Sequence, residues 1–339
     1  MEAENIKKIL VIDLAFIGDV ILATPTMRAL KEHFPKASLT MLTVPLTAEI
    51  AAMDPYVDEV LVYDKRGKDK GLLGMWRMAR RIAPLGFDLC VSMNFAPRGA
   101  AVAWLAGIPH RLGYDAQHGG FFSNIVASSI RSGIQHETLN HLEILRPFGI
   151  VSKDASLVLN VPQKVKKSLG KKMNERCLSE KRYVAVAPFG RHPRRSLSLE
   201  VTAQLAKHFG ENLVLLGGPA EASELQQASH LADFPQNHVL GGVLTIPELA
   251  AFLQEYSRCL VTVDTGPLHI AQAVGCRTIA VFGPSNPKIW GPRGAEDVLL
   301  YHEYPCAPCN CVGECNYGEA CMRDTTVSDI IQAIESNER

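Results

Sequence analysis

The sequence predicts an α/β protein made of two Rossmann-like domains, and three observations lead to that prediction. Short apolar runs alternate with amphipathic stretches along nearly the whole chain, which is typical of βαβ units and parallel sheets. The chain has 339 residues, enough for two domains of ordinary size. A Lys-rich stretch at 162–182 separates two such series, and a new strand-like run begins directly after it. We therefore expect two domains that face each other across a cleft.

The apolar runs predict the strands in chain order. A helix is predicted over 19–33, because the apolar spacing is helical and Pro35 follows it. A closing helix is predicted over 325–334. Domain boundaries are expected at 1–165 and 180–324, with 325–339 as the closing segment. The predicted strands are 9–12, 39–44, 59–62, 89–93, 183–188, 213–216, 238–240, 260–263 and 278–282.

Composition and charge exclude several classes of protein. Lys and Arg number 35 and so do Asp and Glu, so there is no overall basic field and nucleic-acid binding is not expected. A hydrophobic content of 47% excludes a disordered chain. No apolar run approaches the roughly 20 residues of a membrane span, and a cytoplasmic protein is expected.

The first strand-to-helix junction offers one carboxylate. Gly18 is the only glycine there, so the three-glycine dinucleotide fingerprint is missing. Asp19 falls where the carboxyl edge of a parallel sheet binds ligands. It is equally suited to cap its helix, and the spacing leaves both roles open.

The second junction, at 261–275, predicts a phosphate site. A strand runs into Asp264-Thr265-Gly266-Pro267, and Pro267 suits the first turn of a helix. Free backbone N–H groups and the positive end of the helix dipole would then hold an anion. His269, on the first turn, could add a donor, or it could be a buried structural histidine.

Two further loops follow strands of the second half. Residues 216–221 place Glu221 after a Gly-Gly-Pro turn, which suits a ribose or base edge. Residues 188–196 carry three arginines, among them Arg195, and guanidinium groups pair well with phosphate oxygens. A solvated basic loop is the alternative for these arginines.

Taken together, these segments resemble a known family over essentially the full length of the chain. It is glycosyltransferase family 9, the bacterial ADP-heptose:lipopolysaccharide heptosyltransferases. The residues that carry the likeness are Gly18-Asp19-Val20, Thr24-Pro25, Arg28-Ala29-Leu30, 108–115, His136-Glu137, Leu216-Gly217-Gly218-Pro219, Asp264-Thr265-Gly266-Pro267 with His269, and Phe282-Gly283-Pro284.

The resemblance implies a GT-B fold, an acceptor domain followed by a nucleotide-sugar domain, and inverting transfer that needs no metal. It implies that Asp19 is the general base and that Glu221 contacts the donor ribose. Where the family commonly has Lys before a Trp-Pro pair, this chain has Arg195 before Leu197-Ser198, which keeps the positive charge. The donor-binding residues that the resemblance implies are Arg195, Glu221, Asp264, Thr265, Gly266 and His269. The expected partners are a nucleotide-sugar donor and a glycan or lipid-linked glycan acceptor.

The nine cysteines fall into two groups. Four are scattered and are expected to be buried thiols, namely Cys90, Cys177, Cys259 and Cys276. The other five lie within sixteen residues, and this clustering favours metal ligation. Thiolates suit a structural tetrahedral zinc or iron site, and Cys311 would be a spare fifth sulfur or would displace one of the four ligands. The predicted ligands are Cys306, Cys309, Cys315 and Cys321.

Other interpretations remain open. Seven basic residues lie between Lys65 and Arg81 against the single acid Asp69, so this segment could bind an anionic acceptor, dock on the inner membrane, or be a solvated helix face. The segment 136–141 nearly reads H-E-x-x-H, but Asn140 takes the place of the second histidine. A non-catalytic nucleotide-sugar-binding assembly protein, a heptosyltransferase acting on a protein, and a nucleotide-sugar epimerase are the alternative functions.

Overall fold

Residues 5–129, 133–178 and 182–336 are described by the computed structural model of the chain. The chain divides after Asn160 into two units. Each unit has one six-stranded sheet, and every pairing in both sheets is parallel. The predicted α/β class with two Rossmann-like domains is confirmed.

The first unit alternates strands and helices from its start. Its strands and α-helices are β1 (Lys8–Ile12), α1 (Ile17–Leu22), α2 (Thr24–His33), β2 (Ser38–Thr43), α3 (Ala48–Ala51), β3 (Glu59–Val62), α4 (Gly71–Ile82), β4 (Leu89–Ser92), α5 (Arg98–Leu105), β5 (His110–Tyr114), β6 (Ile125–Ala127) and α6 (Glu137–Glu143).

The first sheet has the strand order β3-β2-β1-β4-β5-β6. Central strand β1 is covered on both faces, because successive side chains of a strand point to opposite sides. Ile9 and Val11 enter the core on one face, whereas Leu10 and Ile12 enter the core on the other. All four side chains are fully buried. This burial explains why the run is continuously apolar.

The second unit repeats the plan. Its strands and α-helices are α7 (Gln163–Glu175), β7 (Tyr183–Ala187), α8 (Leu199–Phe209), β8 (Leu213–Gly217), α9 (Ala222–Leu231), β9 (Val239–Gly241), α10 (Ile246–Glu255), β10 (Ser257–Val263), α11 (Gly266–Ala273), β11 (Thr278–Phe282), α12 (Pro287–Trp290), β12 (Val298–Tyr301), α13 (Ala320–Arg323) and α14 (Val327–Glu335).

The second sheet has the order β12-β11-β10-β7-β8-β9, the same pattern as the first. Closing helix α14 belongs to this unit and begins at the N-cap Thr326, whose hydroxyl accepts a hydrogen bond from the N–H of Asp329. Arg277 fixes the other end, because its guanidinium donates to the carbonyls of Ala333 and Ile334. The predicted closing helix is confirmed.

The prediction of one helix over 19–33 is wrong. The structure has two helices, α1 and α2, which meet at Ala23. Pro25 lies in the first turn of α2, where the backbone N–H groups have no partner within the helix, so its missing N–H costs no hydrogen bond. Inside one continuous helix over 19–33, the same proline would break a backbone hydrogen bond.

Three strands and one cysteine also depart from the predictions. Strands β5, β6 and β12 were not predicted, and β6 and β12 are edge strands of only three and four residues. Cys177 was expected in a core but is exposed. It lies just beyond α7 with a φ of 56°, so the chain turns there and the Cys177 side chain does not enter a core. None of the helices in the described ranges is long and apolar enough to cross a bilayer.

Candidate active site

The order of the first sheet reverses between β1 and β4, and polar side chains meet at that point. Asp13 follows β1 and Asn94 follows β4. The Asn94 side-chain amide donates to Asp13 Oδ1 at 2.9 Å, and Asn94 Oδ1 accepts from the N–H of Leu14 at 2.7 Å. Open α/β sheets bind ligands at such a switch point. Sequence reasoning missed both residues, although each is a polar residue close to the end of an apolar strand.

Asp19, the predicted base, lies in the first turn of α1 beside this point. Its Oδ2 accepts a hydrogen bond from the N–H of Phe16 at 3.1 Å, so the carboxylate does cap its helix. The side chain is half-buried, and its Oδ1 accepts no hydrogen bond within the part of the chain that the structure describes. The carboxylate therefore has one anchored oxygen and one open oxygen.

Asp13 is fully buried and close enough to Asp19 for the two carboxyl groups to interact. Burial and the nearby Asp19 carboxylate raise the pKa of Asp13, whereas Asn94, His141 and the N–H of Ala15 oppose that shift. His141 Nε2 in turn lies 3.2 Å from Glu137 Oε1, and both of these side chains are buried. The near-match to a zinc-protease motif is thus a buried histidine and carboxylate pair on α6.

A cavity of about 470 Å³ opens at the same sheet edge. Its lining includes Phe16, Lys65, Arg66 and Arg98. Burial and the charges of Arg66 and Arg98 lower the pKa of Lys65, while Asp13 opposes that shift. The Lys65 ammonium donates to the Leu14 carbonyl at 2.6 Å. Cations that destabilise one another in a cavity favour an anionic ligand.

The second sheet has its own switch point, between β7 and β10, and it joins two of the predicted donor residues. Arg195 lies in the loop after β7 and Asp264 follows β10. Arg195 Nη1 donates to Asp264 Oδ2 at 2.9 Å, and both side chains are partly exposed. The loop is shaped by Ser196, whose hydroxyl accepts from the N–H of Gly190 at 3.0 Å. A guanidinium is therefore held at the carboxyl edge of the sheet.

Helix α11 begins at this pair. Thr265 is its extended N-cap, with no side-chain cap, and Gly266 and Pro267 form the first turn. The backbone N–H groups at the start of a helix have no partner within the helix, and the dipole there is positive. His269 is buried and its Nδ1 has no hydrogen-bond partner in the described ranges. Burial lowers the pKa of His269, whereas Asp264 and Gln272 oppose that shift.

Glu221 is positioned by the glycine turn after β8. Its Oε2 accepts from the N–H of Gly218 at 2.7 Å. A Cβ on Gly217 would lie 2.8 Å from Leu225 Cδ1 and 3.1 Å from Glu221 Cβ, so the turn has no room for a side chain there. Strand β8 is the neighbour of β7, so Glu221 lies on the same sheet edge as Arg195.

The clustered cysteines form a segment between β12 and α14, which we call the cysteine finger (306–321). Burial and the neighbouring Cys306, Cys309 and Cys315 raise the pKa of Cys321 to about 11. The N–H of Glu319 donates to Cys315 Sγ at 3.2 Å, and backbone donors lower the pKa of Cys315. Cys306, Cys309 and Cys315 therefore all act on the pKa of Cys321, and Cys311 is not among the groups that do so.

The finger also packs on the sheet. A Cβ on Gly283, directly after β11, would lie 2.7 Å from Met322 Sδ and 3.0 Å from Cys321 Sγ. Arg194 donates to the carbonyls of Cys311 and Gly313. Across residues 5–129, 133–178 and 182–336, no three Cys, His, Asp or Glu side chains already converge on a common metal position. Soft thiols fit zinc or iron by their chemistry, but the set is not assembled in this geometry.

Comparison with known proteins agrees with this architecture. The family model for glycosyltransferase family 9 (heptosyltransferase) matches residues 75–318. The lipopolysaccharide heptosyltransferase 3 of Escherichia coli is 23% identical over 291 residues, which cover 82% of this chain and 84% of that protein.

Solved structures share the fold over nearly the whole chain. The glycosyl transferase family 9 protein from Veillonella parvula superposes with a TM-score of 0.87 at 23% identity, covering 99% of this chain and 98% of that one. The ADP-heptose lps heptosyltransferase II of Escherichia coli superposes with a TM-score of 0.80 at 19% identity, covering 97% and 98%. The predicted GT-B fold is confirmed. With two parallel sheets, polar residues at both switch points and a family match over most of its length, this chain belongs to glycosyltransferase family 9 and is a glycosyltransferase.

Proposed function

We propose that this protein transfers a heptose from a nucleoside diphosphate donor, ADP-heptose, to a hydroxyl group of a lipid-linked glycan such as the lipopolysaccharide inner core. Transfer inverts the anomeric centre and needs no metal ion. The names of the relatives support the sugar, the donor and the acceptor class. The enzyme would act in the cytoplasm at the inner face of the membrane, where a lipid-linked acceptor is anchored.

The Arg195 and Asp264 pair at the start of α11 carries the donor part of the proposal. A leaving diphosphate gains negative charge as its bond to the sugar breaks. Arg195 and the N–H groups of Thr265 and Gly266 would meet that charge without a divalent ion. Glu221, on the same sheet edge, would accept hydrogen bonds from the ribose hydroxyls.

Asp19 carries the acceptor part. In the transfer step the acceptor oxygen bonds to C1 of the heptose, the bond from C1 to the phosphate oxygen breaks, and the nucleoside diphosphate leaves with the electron pair. The hydroxyl proton passes to Asp19, because a sugar hydroxyl is too weak an acid to lose it unaided at pH 7. The open Oδ1 suits this role, while Oδ2 remains bound to Phe16 and fixes the carboxylate.

The cavity lined by Lys65, Arg66 and Arg98 supports an acceptor that carries carboxylate or phosphate groups. Because these cations lower the pKa of Lys65, an anion bound among them would relieve their repulsion. We therefore propose that the acceptor glycan is anionic close to the reacting hydroxyl.

We also propose that the cysteine finger holds a structural zinc or iron ion through Cys306, Cys309, Cys315 and Cys321. Cys306, Cys309 and Cys315 all raise the pKa of Cys321, and the N–H of Glu319 donates to Cys315 Sγ, which lowers the pKa of Cys315. When bound, the metal would crosslink the finger to the β11 end of the sheet. It takes no part in transfer.

The test of the proposed function is Asp19→Asn. Asparagine keeps an oxygen that can accept from the Phe16 N–H, so the helix cap survives while the base is removed. Heptose transfer from ADP-heptose to a lipopolysaccharide core acceptor should fall by about 10²–10⁴-fold in kcat. ADP affinity, measured by calorimetry, should stay within about twofold. A variant that folds and transfers at the full rate would overturn the assignment.

The same assay separates the alternatives. Tight ADP-heptose binding with no product, whatever acceptor is supplied, would favour an assembly protein. An altered nucleotide sugar formed without acceptor would favour an epimerase. Transfer of heptose to a protein side chain in preference to a glycan would show that the acceptor is a protein.

A further inference from the structure

Helix α4 presents an apolar stripe to solvent. Its inner face packs in the first unit, where Met78 and Ile82 are buried in the core. On the outer face Leu72 is 79% exposed, Leu73 77% and Trp76 52%. At 100° per residue these three side chains fall within about a quarter of the helix circumference. A stripe of three large apolar side chains is unusual on a surface helix.

Basic side chains border this stripe. Arg77, Arg80 and Arg81 follow it on the same helix, and all are exposed. Lys68 and Lys70 lie directly before the helix and are also exposed. The only acid between Lys65 and Arg81 is Asp69, which is buried. The exposed surface of this segment is therefore purely cationic and apolar.

Two contacts arrange the arginines around the stripe. The Arg80 guanidinium lies 5.2 Å from the centroid of the Trp76 ring, a cation–π distance. Arg77 Nη2 donates to the carbonyl of Lys68 at 2.6 Å, so it lies at the start of the helix. Tryptophan with arginine beside it suits the headgroup level of a bilayer, where the ring is half in hydrocarbon and the cation meets phosphate.

We propose that the exposed face of α4, formed by Leu72, Leu73, Trp76, Arg77 and Arg80, docks this protein on a bilayer that contains anionic phospholipids. The helix lies in the plane of the interface, with the leucines and Trp76 inserted and the basic side chains at the lipid phosphates. The lack of exposed acids between Lys65 and Arg81 favours an anionic lipid surface. The proposal rests on the proposed function only for the purpose of docking, since a lipid-linked acceptor is anchored in the bilayer.

The experiment measures binding of the full-length protein to vesicles by flotation. Vesicles of phosphatidylcholine with 30% phosphatidylglycerol are compared with phosphatidylcholine alone. We expect binding to the anionic vesicles, at least tenfold weaker binding to the neutral ones, and a decrease with rising salt. Brominated lipids should quench the fluorescence of the wild type but not that of Trp76→Phe.

Two pairs of variants, each with a matched control, test the surface. Leu72→Gln with Leu73→Gln removes the apolar part. Its control is Val151→Gln with Leu231→Gln, two side chains that are 74% and 64% exposed elsewhere. Arg77→Glu with Arg80→Glu removes the basic part, and its control is Lys164→Glu with Lys167→Glu, the same charge change on α7.

Both α4 variants should lose binding by tenfold or more, and both controls should bind as the wild type does. All four proteins should keep the wild-type Tm and ADP affinity, so that failure of docking is separated from failure of the donor site. Failure of the wild type to float with anionic vesicles would overturn the proposal. If the α7 control loses as much vesicle binding as the basic α4 variant, the binding depends on net charge alone, and the proposal is overturned. Vesicle binding at the wild-type level by the α4 variants would also overturn the proposal.

Discussion

The guanidinium of Arg195 lies 2.9 Å from the carboxylate of Asp264, Nη1 to Oδ2, and the two residues follow the two central strands of the second sheet. The pair holds a cation at the switch point before any anion binds. Asp264 therefore positions the guanidinium that we propose binds the donor phosphate.

Arg195→Ala should weaken ADP binding by about 10–100-fold, because a charge-assisted hydrogen bond to phosphate contributes roughly 1.5–3 kcal/mol. Arg195→Lys should recover part of that loss, since it keeps the charge but not the fork of donors. Isothermal calorimetry with ADP measures both. Arg191→Ala, in the same loop, is the control and should bind ADP nearly as the wild type does. Unchanged affinity in Arg195→Ala would contradict the donor site.

Arg98→Gln should act on the acceptor alone. Arg98 lines the cavity of the first unit and donates to the Tyr63 hydroxyl at 3.2 Å. Loss of one cation should raise the KM for an anionic acceptor by about tenfold and leave the KM for the donor unchanged. The control is Arg146→Gln, an exposed arginine of the same unit that pairs with Glu143. A change in the donor KM would refute the separation of the two sites.

Asp54 should make stability depend on pH. Burial raises its pKa from 3.8 to about 7, against the opposing effects of the Tyr56 N–H and Arg28. The folded state therefore holds the proton more tightly than the unfolded chain. The contribution of this proton to the free energy of unfolding is complete below about pH 4 and is lost as the pH rises through 7.

Asp54→Asn removes that titration and keeps an oxygen for the Tyr56 N–H, which Asp54 Oδ1 accepts at 2.9 Å. Between pH 5 and pH 8 the free energy of unfolding should rise in the variant relative to the wild type by about 2–3 kcal/mol. Urea unfolding at the two pH values measures the difference. A gap of the same size at both values would show that Asp54 ionises normally.

The cysteine finger should contain one metal ion per chain. Protein purified without chelator should give near-stoichiometric zinc or iron by elemental analysis. Cys321→Ser should lose the metal and lower the Tm, since Cys321 packs against Gly283 on the sheet. Cys311→Ser should keep the metal, because Cys311 is outside the group around Cys321. Folded, metal-free wild type with all five finger thiols open to titration would reject the site.

The sequence predicted nine of the twelve strands found in the described ranges. The strands 59–62 and 278–282 are found with the predicted bounds. No strand was predicted at β6 or β12, whose apolar runs are only three and four residues long. Periodicity also failed at Ala23, because helical spacing of apolar residues continues across the break before Pro25.

The site was predictable in its residues but not in its contacts. Asp19, Arg195 and Asp264 come from motifs, but only the strand order brings Arg195 to Asp264 across 69 positions of the chain. Asp13 and Asn94 were missed for the same reason, since 81 positions separate them and their partnership depends on β1 lying beside β4. A polar residue near the end of an apolar strand is a usable signal once neighbouring strands are known.

The identical strand order of the two sheets has a consequence for how such enzymes diversify. Each unit keeps its packing in its own layers and places its ligand loops on one edge of its own sheet. Under the proposed function, substitutions in the loops after β7, β8 and β10 would alter which sugar nucleotide is accepted, while those after β1, β3 and β4 would alter which glycan is extended. Donor choice and acceptor choice would then be separately evolvable traits of one polypeptide.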